Sequence, residues 1–234
     1  MAANYDWNEF ADRSALETAL AGRIAQLLSK AVETRGQALI AVSGGTTPKR
    51  LFQTLSGIGI AWDKVIVTLV DERFVPASSP RSNAALVAGN LLQNAASAAR
   101  FVPLYRESLS IEDAARSDNA EMMLLPWPLD VAVLGMGADG HTASFFPDAG
   151  NLSALLDPAS ERVVLPVHAP SAGEPRLTLV AARILGAGFL ALHIEGEEKR
   201  AAFETAMGQG AGEKKPIRAV IEESPKPVEV FWAP

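Results

Sequence analysis

The sequence predicts an α/β fold built on a mainly parallel sheet flanked by helices. Short apolar runs of strand length alternate with amphipathic segments of helix length, the pattern that parallel sheets require. Three polar clusters also lie directly past the ends of apolar runs. In open parallel sheets, ligands bind at that edge.

Along the chain, Ser14-Ala15-Leu16-Glu17 has the form of a capping box, with the serine accepting from the first turn and the glutamate reaching back. Leu16, Leu20, Ile24, Leu27, Leu28 and Ala31 then share one helical face, and Gly36 is the expected stop. The run 38–42 predicts a buried strand that leads into Ser43-Gly44-Gly45-Thr46-Thr47. Pro48 suits a first helical residue, because its missing N–H would be unpaired there anyway. The first unit therefore reads helix, strand, glycine loop, helix. A β-branched strand over 65–70 ends in Asp71-Glu72-Arg73. Helices follow over 83–92 and 111–125, with a short strand over 101–105 between them. A strand over 130–134 runs into Gly135-Met136-Gly137-Ala138-Asp139-Gly140-His141. Further strands are expected over 163–167, 176–180 and 189–194, a helix over 197–207 and a last strand over 228–232. The Gly/Lys-rich stretch 208–215 reads as a mobile surface loop. No repeat or linker interrupts the pattern, so 1–234 reads as a single α/β domain.

With 234 residues, 48% hydrophobic and 21% charged, the chain can bury a core without staples. It has no cysteine, which excludes disulfides, thiolate metal sites and a cysteine nucleophile. The first ten residues lack the basic and apolar regions of a signal peptide, and no apolar run reaches the roughly 20 residues of a membrane span. A cytoplasmic protein without membrane contact is expected. The net charge of −6, with scattered basic residues, argues against nucleic-acid binding. No long amphipathic arm demands a partner, so a monomer is expected. An anionic substrate would meet a repulsive global field. Cations and N–H groups in a cleft would have to override it at short range.

Ser43, Gly44, Gly45, Thr46 and Thr47 have the makings of an anion cradle: paired glycines admit a close approach, hydroxyls add donors, and a helix N-terminus stands behind. The plainer alternative is a glycine turn with Thr46 or Thr47 as a cap. A P-loop is excluded, because the Gly-Lys-Ser/Thr ending is absent. Gly135-x-Gly137-x-x-Gly140 matches a dinucleotide fingerprint, but Pro147 limits any helix after it to a turn or two. Glu161 also precedes a strand instead of ending one, so a nicotinamide cofactor is not expected. His141 follows a glycine beyond a strand end with Asp139 two residues earlier. A neutral imidazole there suits proton removal from water, the alternative being a loop histidine bonded to backbone. His193 alternates within an apolar strand and reads as a satisfied core residue, and His168, beside Pro166 and Pro170, as a loop residue. Arg73, Arg176 and Lys199 are the cations placed nearest the cleft, against the alternative that each is a solvated surface charge. The chain has no Gly-x-Ser-x-Gly elbow and no His-Glu-x-x-His zinc pair, so the nucleophile is most economically water.

Taken together, Ser43-Gly-Gly-Thr-Thr-Pro48, Asp71-Glu-Arg73, Gly135-Met-Gly-Ala-Asp-Gly-His-Thr-Ala-Ser144, Pro175-Arg-Leu-Thr-Leu179 and Gly196-Glu-Glu-Lys199 resemble the 6-phosphogluconolactonase family, within the wider glucosamine-6-phosphate isomerase/deaminase-like group. The five segments keep the family's order and span most of the chain. The resemblance implies a Rossmann-like fold, a phosphosugar lactone substrate and no organic cofactor. It implies His141 as general base for water attacking the lactone carbonyl. Arg73, Arg176 and Lys199 would hold the anionic oxygens, with the loop from Ser43 to Thr47 sharing that work. Asp139 would orient the imidazole or pin the glycine turn. Asp71 would support the site or cap its strand.

Two rival functions are set against this one. Glucosamine-6-phosphate deaminases characteristically follow the histidine with Asn-Glu-Pro, whose carboxylate serves ring opening, whereas Phe145-Phe146-Pro147 offers none. Arg73 also stands where the deaminases usually carry an aromatic residue. A sugar-phosphate sensor in a transcription regulator would need a DNA-binding helix-turn-helix. A single helix is expected before the first strand here, with no basic recognition helix.

Overall fold

The computed structural model describes residues 4–107, 109–208 and 215–234. β1 (Tyr5–Glu9) and α1 (Arg13–Arg35) open the chain. They are followed by β2 (Ala38–Val42), α2 (Lys49–Ser56), β3 (Val65–Leu69), β4 (Asp71–Arg73), α3 (Asn83–Asn90), β5 (Arg100–Val102) and α4 (Ile111–Met122). Next come β6 (Val131–Leu134), α5 (Leu152–Leu156), β7 (Val164–Val167), β8 (Arg176–Leu179), α6 (Ala181–Leu185), β9 (Phe189–Glu195), α7 (Glu197–Met207), α8 (Pro216–Glu223) and β10 (Val228–Ala233). Of the predicted loop 208–215, residues 209–214 lie outside the described residues.

Seven strands form one parallel sheet in the order β1-β10-β9-β6-β2-β3-β5. β2 and β3 are buried along their whole length, which is why they read as unbroken apolar runs instead of alternating ones. α1 lays Leu16, Leu20, Ile24 and Leu28 against the sheet, all fully buried. Each such residue contributes roughly 1.5–3 kcal/mol by leaving water. Gly36 ends α1 as expected, at φ 78, with its N–H donating to the Val32 carbonyl.

Three local expectations need correction. The cap of α1 is Asp12, whose Oδ1 accepts from the Ala15 N–H at 2.8 Å, and not Ser14. Glu17 does not reach back to a cap; it is buried, with Oε2 3.4 Å from Arg50 Nε. Before α1 the chain already forms β1, parallel to β10. Finally, Asp71, Glu72 and Arg73 follow the end of β3 as expected, but they are a strand of their own. They form β4, which leaves the large sheet and pairs antiparallel with β8, itself paired with β7. Val70 is the joint, since its N–H donates to the Val42 carbonyl of the large sheet and its carbonyl accepts from Leu179 of the small one.

One buried ion pair ties down the segment between β5 and α4. Arg106 Nε meets Asp118 Oδ1 at 2.6 Å, and its Nη2 meets Glu121 Oε2 at 2.6 Å. Asp118 is fully buried and its Oδ2 has no hydrogen-bond partner. Burial outweighs the attraction of Arg106 and pushes the Asp118 carboxyl up to about 6. The folded chain therefore binds this proton more tightly than the unfolded chain does. Its stabilising contribution is complete below pH ~4 and is lost as pH rises to about 6. Thermal melts of wild type should show that decline between pH 4 and 6, and melts of Asp118→Asn should lack it.

Candidate active site

β2 and β6 are neighbours, but the chain leaves them in opposite directions. From β2 it goes on through β3 to β5 on one side of the sheet. From β6 it goes on to β9 and β10 on the other. At such a switch the two exit loops part and leave a crevice at the carboxyl ends of the strands. The Ser43 loop leaves β2 and the Gly135 loop leaves β6. They stay joined at the root, where the Ser43 N–H donates to the Val133 carbonyl at 3.0 Å and the Gly135 N–H donates to Ser43 Oγ at 3.2 Å.

A cleft of about 210 Å³ opens there. Its lining brings together Ser43, Gly44, Gly45, Thr46, Thr47, Asp71, Arg73, His141, Arg176 and Lys199, every sequence-predicted site residue except Asp139. Asp139 stands just behind, bonded to His141. Asn83 and His193 also line the cleft, and sequence reasoning did not place them there. His168 stays outside, with Nε2 3.1 Å from Glu112 Oε1 on an exposed surface.

The Gly135 loop carries no helix between β6 and α5, so the glycine fingerprint does not open a helix as a dinucleotide motif would. It closes a tight turn instead. The Gly137 N–H donates to the His141 carbonyl at 2.9 Å, and Asp139 Oδ1 accepts both the His141 N–H at 3.1 Å and His141 Nδ1 at 2.6 Å. A Cβ on Gly137 would overlap both the imidazole and the Asp139 carboxylate, so only glycine admits this pair. Burial raises the Asp139 carboxyl, but its bonds and charge contact with His141 prevail and hold it below the ordinary carboxylate range. His141 Nε2 has no protein partner among the described residues. The ring lies on Phe146, centroids 4.4 Å apart, while the Arg176 guanidinium sits 5.5 Å from the same Phe146 ring. Phe146 thus packs against both the imidazole and the cation. The only sequence signal for it was an aromatic five residues past the histidine.

Beyond His141 the loop is pinned twice. Thr142 Oγ1 donates to the Gly135 carbonyl at 2.8 Å, and Ser144 Oγ donates to Asp71 Oδ2 at 2.6 Å. Between these anchors Ala143 is held at φ 51, a region that residues with a Cβ seldom occupy.

The β4–β8 pairing sets Arg73 directly opposite Arg176. Facing like charges repel, and four acceptors, Glu174, Asp71 and the Arg81 and Ala172 carbonyls, offset them. Glu174 Oε1 is 3.4 Å from Arg73 Nε and 3.5 Å from Arg176 Nη2, while Asp71 Oδ2 is 3.9 Å from Arg176 Nη1. The Arg81 carbonyl takes Arg73 Nη1 at 2.5 Å. Glu174 also pairs with Arg81. Burial is the main cause that lowers the Arg176 guanidinium from its ordinary value, and its Nε is buried without a partner. A half-buried guanidinium at a cleft wall is a docking point for an anion.

The opposite wall is the Ser43 loop. A Cβ on Gly44 would overlap the Asn83 side chain, whose Nδ2 donates to the Asp71 carbonyl at 2.8 Å. Gly45 sits at φ 95, where glycine alone is comfortable. Among the described residues, none of the N–H groups of Gly44, Gly45, Thr46 and Thr47 donates to another protein group, and α2 begins directly behind them. Lys199, in the first turn of α7, closes the cleft from a third side. Glu72, beneath the site, accepts from the Arg73, Asn83 and Ala84 N–H groups and from Ser82 Oγ, and so fixes β4 to the start of α3.

Comparison with known proteins agrees with this geometry. The family model described as "Glucosamine-6-phosphate isomerases/6-phosphogluconolactonase" matches residues 11–232. A 6-phosphogluconolactonase of Mesorhizobium japonicum is 69% identical over 99% of this chain and 97% of its own. One of Rhizobium meliloti is 48% identical over 96% of this chain and 97% of its own. The crystal structure of a 6-phosphogluconolactonase from Shewanella baltica superposes with a TM-score of 0.94 at 40% identity, covering 98% of each chain. The chain belongs to the glucosamine-6-phosphate isomerase/6-phosphogluconolactonase family.

Proposed function

We propose that this protein hydrolyses 6-phospho-D-glucono-1,5-lactone to 6-phospho-D-gluconate, the lactone-opening step of the oxidative pentose phosphate pathway, with water as nucleophile and His141 as general base. The family and the 69% identical relative support an enzyme acting on a sugar-phosphate lactone. The observation that carries the mechanism is the His141–Asp139 pair, which leaves Nε2 as the ring nitrogen open to the cleft.

In this reading Arg73, Arg176 and Lys199 share the phosphate and the anionic oxygens with the free N–H groups of residues 44–47. Binding energy from the remote phosphate then positions the ring. Nε2 takes a proton from water as its oxygen attacks C1. The Asp139 carboxylate steadies the imidazolium, and cleft N–H groups or a cation hold the oxyanion. Collapse of the tetrahedral intermediate breaks the bond from C1 to the ring oxygen, which takes its proton from the imidazolium. The product carboxylic acid then ionises. The deaminase branch of the family is disfavoured, because the positions after His141 are filled by the buried rings of Phe145 and Phe146 and not by a carboxylate.

The first test follows fresh lactone against its spontaneous hydrolysis, with product detected through a coupled dehydrogenase. Wild type should exceed background clearly, and His141→Ala should lose about 100-fold or more in kcat while binding 6-phosphogluconate almost as well. Near-normal turnover in folded His141→Ala would remove the general-base role. Gly137→Ala should lower kcat in the same way with an unchanged circular-dichroism spectrum, because its methyl group displaces the imidazole and its carboxylate. Arg73→Met should instead weaken product binding by roughly tenfold, with the difference shrinking at high salt. An unaltered titration curve would take Arg73 out of the anion site.

A further inference from the structure

His193 is read from sequence as a satisfied core residue, and the structure corrects that reading. The ring is 2% exposed and Nε2 lies 3.1 Å from Glu195 Oε1, but Nδ1 is buried with no hydrogen-bond partner. The residue also lines the cleft. Its place follows from the sheet register. Leu134 pairs with Leu192, so His193 stands one residue past that pair, beside Gly135, where the loop bearing His141 leaves the sheet. On the other side β9 runs on to Gly196 and α7, whose first turn holds Lys199. His193 is therefore a polar side chain at the base of the cleft between the base and a cation.

We infer that His193 reads a ring hydroxyl of the substrate through Nδ1, and that Glu195 sets it up to do so. The assignment rests on the lactonase reading above. Glu195 is held by Arg13, Nε to Oε2 at 3.5 Å, and as a carboxylate it can only accept. The imidazole must then donate through Nε2, which leaves Nδ1 as a bare acceptor. Glu17, also buried and paired with Arg50, packs a second carboxylate into the same cluster and helps keep it polar. An orphaned buried acceptor is costly, and a ligand hydroxyl relieves that cost. The lactone has three ring hydroxyls, at C2, C3 and C4. One of them donates to Nδ1, so the residue discriminates the hydroxylated sugar from deoxy analogues without taking part in proton transfer at C1.

The test is a cycle between ligand and protein, read by calorimetry with 6-phosphogluconate and its 2-deoxy, 3-deoxy and 4-deoxy forms. Wild type should bind one deoxy form on the order of 10-fold to 100-fold more weakly than 6-phosphogluconate. His193→Phe should bind that form and the parent compound alike. His193→Asn, whose amide overlies the Nδ1 position, should recover part of the selectivity. Equal binding of all four ligands by wild type, or full selectivity retained in folded His193→Phe, overturns the assignment. A merely structural role would lower every affinity together and leave selectivity intact. Should His193→Phe fail to fold, His193→Asn and Glu195→Gln carry the test. In each, selectivity between the parent compound and the deoxy form should fall, and selectivity at the wild-type level overturns the inference. Lactone hydrolysis by wild type is measured separately. Its absence would refute the proposed reaction, whereas a flat selectivity pattern in an active enzyme would refute only the role of His193.

Discussion

The divergence of the chain at the ends of β2 and β6 is the constraint on which the rest depends. A parallel sheet sends every connection out at one edge, and strands whose connections run to opposite sides leave space between them. That space must be walled by loops, and loops carry free backbone donors where strands paired on both sides carry none. The two loops meet only at their roots, through Ser43 and Gly135, and part above that. The residues placed just above the junction on each side, Gly44 to Thr47 on one and Gly137 and His141 on the other, thereby line one cleft.

The small sheet turns the crevice into a charged one. Because β3 runs on through Val70 into β4, two arginines from segments about a hundred residues apart come to face each other. Repulsion between these partly buried like charges is held in check by Glu174, by Asp71 and by the Arg81 and Ala172 carbonyls. A net charge of −6 governs approach from a distance, but screening confines it to about 10 Å at ordinary ionic strength. Inside the cleft the fixed guanidiniums decide. Asp71 serves two loops at once, since it accepts from Ser144 while standing near Arg176, and so it ties the imidazole loop to the cation pair.

How much of this was legible in the sequence depended on whether the signal was local. β2 and α7 have the boundaries that the sequence predicts, because a continuous apolar run and a well-formed amphipathic turn need no distant partner to be recognised. β4 was hidden, because Asp-Glu-Arg is a poor strand by composition and forms one only against β8, far along the chain. β1 was hidden for a related reason: Tyr5–Glu9 is a half-exposed edge strand whose sole neighbour is the last strand. The α1 cap fell two residues from the expected place, since Asp12 and Ser14 are both competent and only the entry angle of the chain chooses between them. Period-two alternation correctly put His193 inside. It could not say that inside, at that height on β9, is also the base of the cleft.

The glycine motif after β6 shows why a pattern must be read through its geometry. In a dinucleotide site the glycines let a pyrophosphate approach a helix N-terminus. Here the same spacing opens no helix, and what the missing side chain at Gly137 admits is not a ligand but the imidazole and carboxylate of the chain itself. The turn therefore presents a base with one nitrogen fixed and one free. Phe146 packs against the imidazole ring, and the Arg176 guanidinium lies 5.5 Å from the same aromatic ring, so one buried side chain touches both the base and the cation. A base and an anion-binding arginine have opposing requirements, since a cation touching the imidazole would make its protonation more costly. Packing both groups on one buried ring fixes their spacing in a single small cleft.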